Sequence, residues 1–86
     1  MAARKITYPT TGTCSKLITV ELDDDNRILS VEFLGGCNGN LQGICKLVTG
    51  QKAEDVISKL EGIRCGFRST SCPDQLSKAL RKAISQ

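Results

Sequence analysis

Two stretches in the first half of the chain alternate apolar and polar residues with a period of two, and only a short polar segment separates them. In the first, Lys16 to Leu22, the residues Ile18, Val20 and Leu22 stand against Thr19 and Glu21. In the second, Arg27 to Leu34, Leu29, Val31 and Phe33 stand against Ser30 and Glu32. Strict alternation is the mark of a strand with one buried face, so the pair predicts a β-hairpin. The segment between them, Asp23-Asp24-Asp25-Asn26, suits a turn, because Asp and Asn bond their own backbone and tolerate left-handed conformations. A calcium loop needs acids at every second position with a Gly and a terminal Glu, a pattern these residues lack. A shorter extended stretch, Arg4 to Tyr8, precedes the hairpin and is ended by Pro9 and the turn residues Thr10 to Thr13.

After Gly35-Gly36 the period changes. Leu41, Ile44, Cys45 and Val48 fall at helical spacing, starting near Asn40, with Gly50 placed as a C-terminal cap. Ala53, Val56, Ile57 and Leu60 repeat that spacing and Gly62 closes it. Residues 63–71 have no period. Pro73 then suits the first position of a last helix, Asp74 its positive end, and Leu76, Ala79, Leu80, Ala83 and Ile84 form its apolar stripe. Strands first and helices after predict an α+β fold: a small antiparallel β-meander followed by about three helices packed on one face. With 86 residues the expectation is a single domain, 1–86.

A domain this small buries only about 60 to 65% of its unfolded surface, so a bound metal, ligand or second subunit would add to its stability. A homodimer is one such route, since a sheet covered on one side leaves edges to manage. One Tyr, two Phe and no Trp leave few platforms for stacking bases, and a net charge of +3 is spread along the chain rather than gathered into a stripe. Both features argue against nucleic acid as a partner. The basic residues Lys78, Arg81 and Lys82 suit the end of the last helix. No apolar segment follows Met1-Ala2-Ala3-Arg4-Lys5, and no run approaches the ~20 residues of a membrane span, so the expected location is the cytoplasm.

Five cysteines and no histidine are the chemical signal. In a reducing compartment an odd set of thiols points to metal binding or thiol chemistry rather than disulfides, and a soft-metal site here must be built from sulfur. The absence of His excludes Cys-His and Ser-His catalytic pairs. Cys37, Cys65 and Cys72 fall in polar or glycine-rich loops, and Cys72 is expected as the N-cap of the last helix, where the free N–H groups favour its thiolate. Cys14, in the turn before the first long strand, is available as a fourth ligand. Cys45 lies on an apolar stripe and reads as a small core residue. No C-x2-4-C knuckle is present, so the argument rests on the kind of position each cysteine occupies and not on spacing.

The residues Thr70-Ser71-Cys72-Pro73-Asp74 spell the signature of the TSCPD family. Thr13-Cys14-Ser15-Lys16, Gly35-Gly36-Cys37-Asn38-Gly39-Asn40-Leu41 and Ile63-Arg64-Cys65-Gly66 also resemble its recurrent stretches. The chain is similar to the free-standing members, and related domains occur at the C-terminus of adenosylcobalamin-dependent ribonucleotide reductases. The resemblance implies a metal site at Cys14, Cys37, Cys65 and Cys72. A more distant likeness is to iron-sulfur scaffolds of the NifU and IscU type, with Cys37, Cys65 and Cys72 in the three cysteine positions. Asn38 stands where those scaffolds have Gly, and Ser71 where they have His.

The expected function is therefore a small binding or accessory protein. Its cysteine-lined site, for zinc or an iron-sulfur cluster, lies between the Gly35 to Asn40 loop and the Cys65 to Cys72 segment. A second expectation is a nucleotide- or flavin-phosphate site, using Gly36, Asn38, Gly39 and Asn40 before a helix and the charges of Arg64 and Arg68. A third is a thiol redox accessory to a ribonucleotide reductase or another redox enzyme, in which Cys72 exchanges with Cys65 or Cys37. An enzyme in its own right is the less favoured reading.

Overall fold

The computed structural model describes residues 3–10, 15–35, 38–64, 66 and 70–85, with the backbone alone of Ser15, Asn38 and Asn40. Three strands, β1 (Arg4–Pro9), β2 (Ser15–Leu22) and β3 (Ile28–Gly35), form an antiparallel sheet in the order β1-β2-β3. Three helices follow: α1 (Asn38–Val48), α2 (Ala53–Leu60) and α3 (Cys72–Ile84). The fold is the expected α+β meander with helices after it. Among the described residues no helix is long and apolar enough to cross a membrane.

Alternation decides which face of the sheet is covered. Ile6 lies opposite Val20, and Val20 opposite Val31, while Leu22 lies opposite Ile28. All five are buried, together with Ile18. The other face presents Lys5 across from Glu21 and Thr19 between Thr7 and Glu32. Helix α3 seals the inner face with Leu76, Ala79, Leu80 and Ala83, each fully buried, and α2 adds Ala53, Val56 and Ile57. Half-buried Tyr8, Phe33, Ile44 and Leu60 pack around this aliphatic core. Cys45 does the same, and burial, reinforced by the nearby Glu32, pushes its thiol pKa up despite an opposing backbone hydrogen bond. It behaves as the small apolar residue its position in the sequence indicates.

Leu29 departs from the expected face. The pairing shifts register between Glu21 and Leu22, so that Glu21 faces Ser30 while Leu22 faces Ile28. Leu29 is the extra residue of a β-bulge and is 46% exposed, and Ile28 takes its place in the core. The turn before it is built as its acids suggest: Asp23 Oδ1 accepts from the backbone N–H groups of Asp25 and Arg27, both at 2.9 Å. Asn26 takes the left-handed position, at φ 62°.

This turn anchors one end of the molecule. The N–H of Gly50 donates to Ile28 O at 2.8 Å, Ile28 N–H donates to Gln51 O at 2.9 Å, and Ala53 N–H donates to Asn26 O at 2.8 Å. The end of α1 and the start of α2 are thereby tied to the hairpin. The guanidinium of Arg4 donates to the carbonyls of Ala83 and Ile84, both at 3.4 Å, to Asp23 O at 3.1 Å, and to Asn26 Oδ1. It caps the last turn of α3, where free carbonyls and the negative end of the dipole favour a cation.

Candidate functional site

With the C-terminal ends of α1 and α3 fixed beside the hairpin turn, both helices run back toward the other end of the sheet. At 1.5 Å per residue, the 13 residues of α3 cover about 20 Å, close to the length of the sheet. That far end holds the pair Ser15 and Gly35, where β2 begins and β3 ends. It also holds the first turn of α1 at Asn38 and the first turn of α3 at Cys72, joined by the end of α2 through a bond from Gly62 to Asp74. Two helix N-termini therefore open toward one end of a three-stranded sheet.

The first turn of α3 is built from buried polar groups. Ser71 is the N-cap: its Oγ accepts from Asp74 N–H at 3.1 Å and donates to Ile63 O at 2.6 Å. Cys72 is consequently the first residue inside the helix, not its cap, and Pro73 follows it. The reason is chemical, since a serine oxygen accepts a backbone N–H far better than a thiol does. Asp74 Oδ1 accepts from Gly62 N–H at 2.8 Å and Oδ2 accepts from the Thr70 hydroxyl, which also accepts from Gln75 Nε2 at 3.0 Å. The Thr70 and Gly62 bonds hold the Asp74 carboxyl below the usual carboxylate range, against the opposing effect of burial. Lys78 Nζ, at 3.7 Å from Oδ2, adds to the lowering. Ser77 completes the turn by donating to Asp74 O at 2.5 Å.

This network, rather than any cysteine, is what the sequence reading missed. The signal was present: Ser71-x-x-Asp74 has the spacing of a capping box, in which a hydroxyl caps the helix and an acid three residues on reaches back. Here Asp74 reaches Thr70 and Gly62 instead of the N-cap backbone. The segment from Gly62 to Thr70 is clamped at both ends by the helix it leads into.

Of the expected site residues, Cys72 lies half-buried on the first turn of α3 and is in no disulfide. Gly39 and Arg64 are exposed, and Asn38 and Asn40 belong to the first turn of α1. Gly66 takes a left-handed conformation, at φ 59°. Cys14, Gly36, Cys37, Cys65 and Arg68 lie outside the described residues. Among the described residues no three acidic or thiol side chains gather as a metal-ion site. The first turn of α1 contains no acidic residue, and among the described residues, apart from its chain neighbours and its own helix backbone, nothing lies within 4 Å of where a Cβ on Gly39 would stand.

No curated protein and no solved structure matches the chain. A family model, that of the TSCPD domain, matches residues 2–84, nearly the whole chain. The described part of the signature, Thr70, Ser71, Cys72, Pro73 and Asp74, is the clamped first turn of α3, and the chain belongs to the TSCPD domain family.

Proposed function

We propose that the chain is a small binding or accessory domain whose cysteines Cys14, Cys37, Cys65 and Cys72 together hold a thiophilic metal, zinc or an iron-sulfur cluster. The observation that carries this reading is the gathering of chain ends at one end of the sheet. Ser15 follows Cys14 and pairs with Gly35, two residues before Cys37. Ile63, two residues before Cys65, is bonded by Ser71, the neighbour of Cys72. The described neighbours of all four cysteines thus belong to the end where α1 and α3 begin.

The donor set suits such a group. Four thiolates without imidazole match closed zinc sites and cluster sites. When bound, the metal would supply a cross-link between segments far apart in sequence, and so folding energy. The chain's own part is to present Cys72 from a first turn fixed by Ser71, Thr70 and Asp74.

The test is native mass spectrometry of protein purified without oxygen, followed by zinc titration against a chromophoric chelator. Bound metal that is lost in Cys72→Ala and in Cys37→Ala supports the reading. Fully reduced protein that carries no metal, and takes none from the chelator, overturns it. A phosphate-binding function is the second reading, favoured by the acid-free first turn of α1, the open space at Gly39 and the exposed Arg64. A saturable rise in melting temperature with one nucleotide or flavin, abolished by Arg64→Ala or Arg68→Ala, supports it.

A further inference from the structure

The outer edge of β3 runs beside α1, and the two enclose a groove of about 400 Å³ lined by Val31, Glu32 and Phe33 of the strand and by Leu41, Gln42, Cys45 and Lys46 of the helix. Side chains alternate between faces along a strand. Three consecutive residues lining one groove therefore mean that it follows the edge of β3 and not one face. Among the described residues, backbone bonds from another segment reach this edge only at its start, where Ile28 exchanges bonds with Gly50 and Gln51 and Arg27 bridges Lys52.

The two edges of the sheet differ. That of β1 carries Lys5 and Pro9, residues that discourage an added strand. From Val31 to Gly35, β3 has neither Lys nor Pro, and Leu34 is 58% exposed. An open edge of this kind presents alternate N–H and C=O groups as a template for one more strand. The floor beneath it is apolar: Leu41 is 5% exposed, and Phe33 and Cys45 are half-buried against the core.

Charge fixes the chemistry of the occupant. Glu32 is exposed on the open face beside Thr19, and among the described residues it forms no ion pair. Lys46 lines the groove from the α1 side. A cation on an added strand is therefore favoured on the open face, across from Glu32, while the side chains that point into the groove are apolar.

We propose that this edge takes up an extended segment of a partner protein as a fourth strand. The segment alternates apolar residues, seated over Leu41 and Cys45, with Lys or Arg, one of them opposite Glu32. This surface is separate from the cysteine-bearing end and does not depend on metal.

Fluorescence anisotropy with two capped, labelled peptides, Val-Lys-Val-Lys-Val and Val-Glu-Val-Glu-Val, tests it. Saturable binding is expected, with the lysine peptide preferred roughly two- to fivefold, as cross-strand charge pairs allow. Glu32→Lys, a change at an exposed position, reverses the preference, and methylation of alternate peptide amides abolishes binding. Failure of both peptides to bind overturns the proposal, as does a lysine preference unchanged in Glu32→Lys, which would put the charge recognition somewhere other than this edge. Self-association in sedimentation runs that Glu32→Lys removes would seat a second copy on the edge and overturn it too.

Discussion

Asp74 is a buried carboxylate whose role is to join two parts of the chain 12 positions apart, through Gly62 N–H on one oxygen and Thr70 on the other. Asp74→Asn keeps the shape but replaces an acceptor oxygen with a donor amide. That amide meets Thr70 Oγ1, which already accepts from Gln75. The variant is expected to lose about 1.5–3 kcal/mol at neutral pH, the range for hydrogen bonds to charged groups. Because the folded-state pKa is depressed, the contribution of the carboxylate is complete above the unfolded value, near pH 4, and is lost as pH falls through the folded value. Urea midpoints of the metal-free wild type and variant should therefore differ at pH 7 and converge toward pH 3. A gap that stays constant would show that charge is not what Asp74 contributes. Ser71→Ala, which removes the cap, should cost about 1 kcal/mol by the same measurement. In the sequence Asp74 read only as an acid at the positive end of a helix. Its partners could not be read there, because Gly62 lies 12 positions away and is brought to Asp74 by tertiary structure, which no local period records.

Secondary structure was legible wherever a period ran long enough. The bounds of α2, Ala53–Leu60, coincide with its apolar repeat and its closing glycine at Gly62, φ 87°. The strands appear where alternation predicts them. Leu29 failed because a bulge inserts one residue, and its existence depends on the partner strand: Leu29-Val31-Phe33 is a regular series in sequence and an interrupted one in register. The glycines of α1 give the prediction proper to this scale. Gly43 lies mid-helix, and a Cβ there would meet nothing within 4 Å, so Gly43→Ala should stabilise by about 0.5–1 kcal/mol through the unfolded chain alone. Gly50, at φ 87°, donates to Ile28 O from a left-handed conformation, so Gly50→Ala should destabilise by about 1–2 kcal/mol. Opposite shifts of the denaturation midpoint for these two Gly→Ala changes, seven residues apart, are the expected result. Shifts of the same sign would contradict the geometry of α1.

The molecule as a whole has two unlike ends. At one, the hairpin turn, Arg4, the end of α1, the start of α2 and the end of α3 are joined by backbone and guanidinium bonds. At the other, two helices begin beside the Asp74 clamp, and the Thr10 N–H donates to Lys16 O at 3.0 Å where β1 ends and β2 begins. This asymmetry was only partly legible. The cysteines stood out by count and by their places in the sequence, but which end of the sheet Cys72 lies toward depends on helix direction, and that follows from contacts such as Arg4 to Ala83, 79 positions apart. A metal held by the four cysteines would cross-link segments far apart in sequence, so it should change stability more than any single side chain does. Zinc at 100 times its dissociation constant contributes about 2.7 kcal/mol by mass action. Because thiols must lose protons to ligate, zinc affinity rises with pH toward the thiol range. The zinc-induced rise in melting temperature should therefore be larger at pH 8 than at pH 6, and absent in Cys72→Ala at both. An increment independent of pH and unaffected by Cys72→Ala would locate the zinc away from Cys72 and count against the proposed cysteine site.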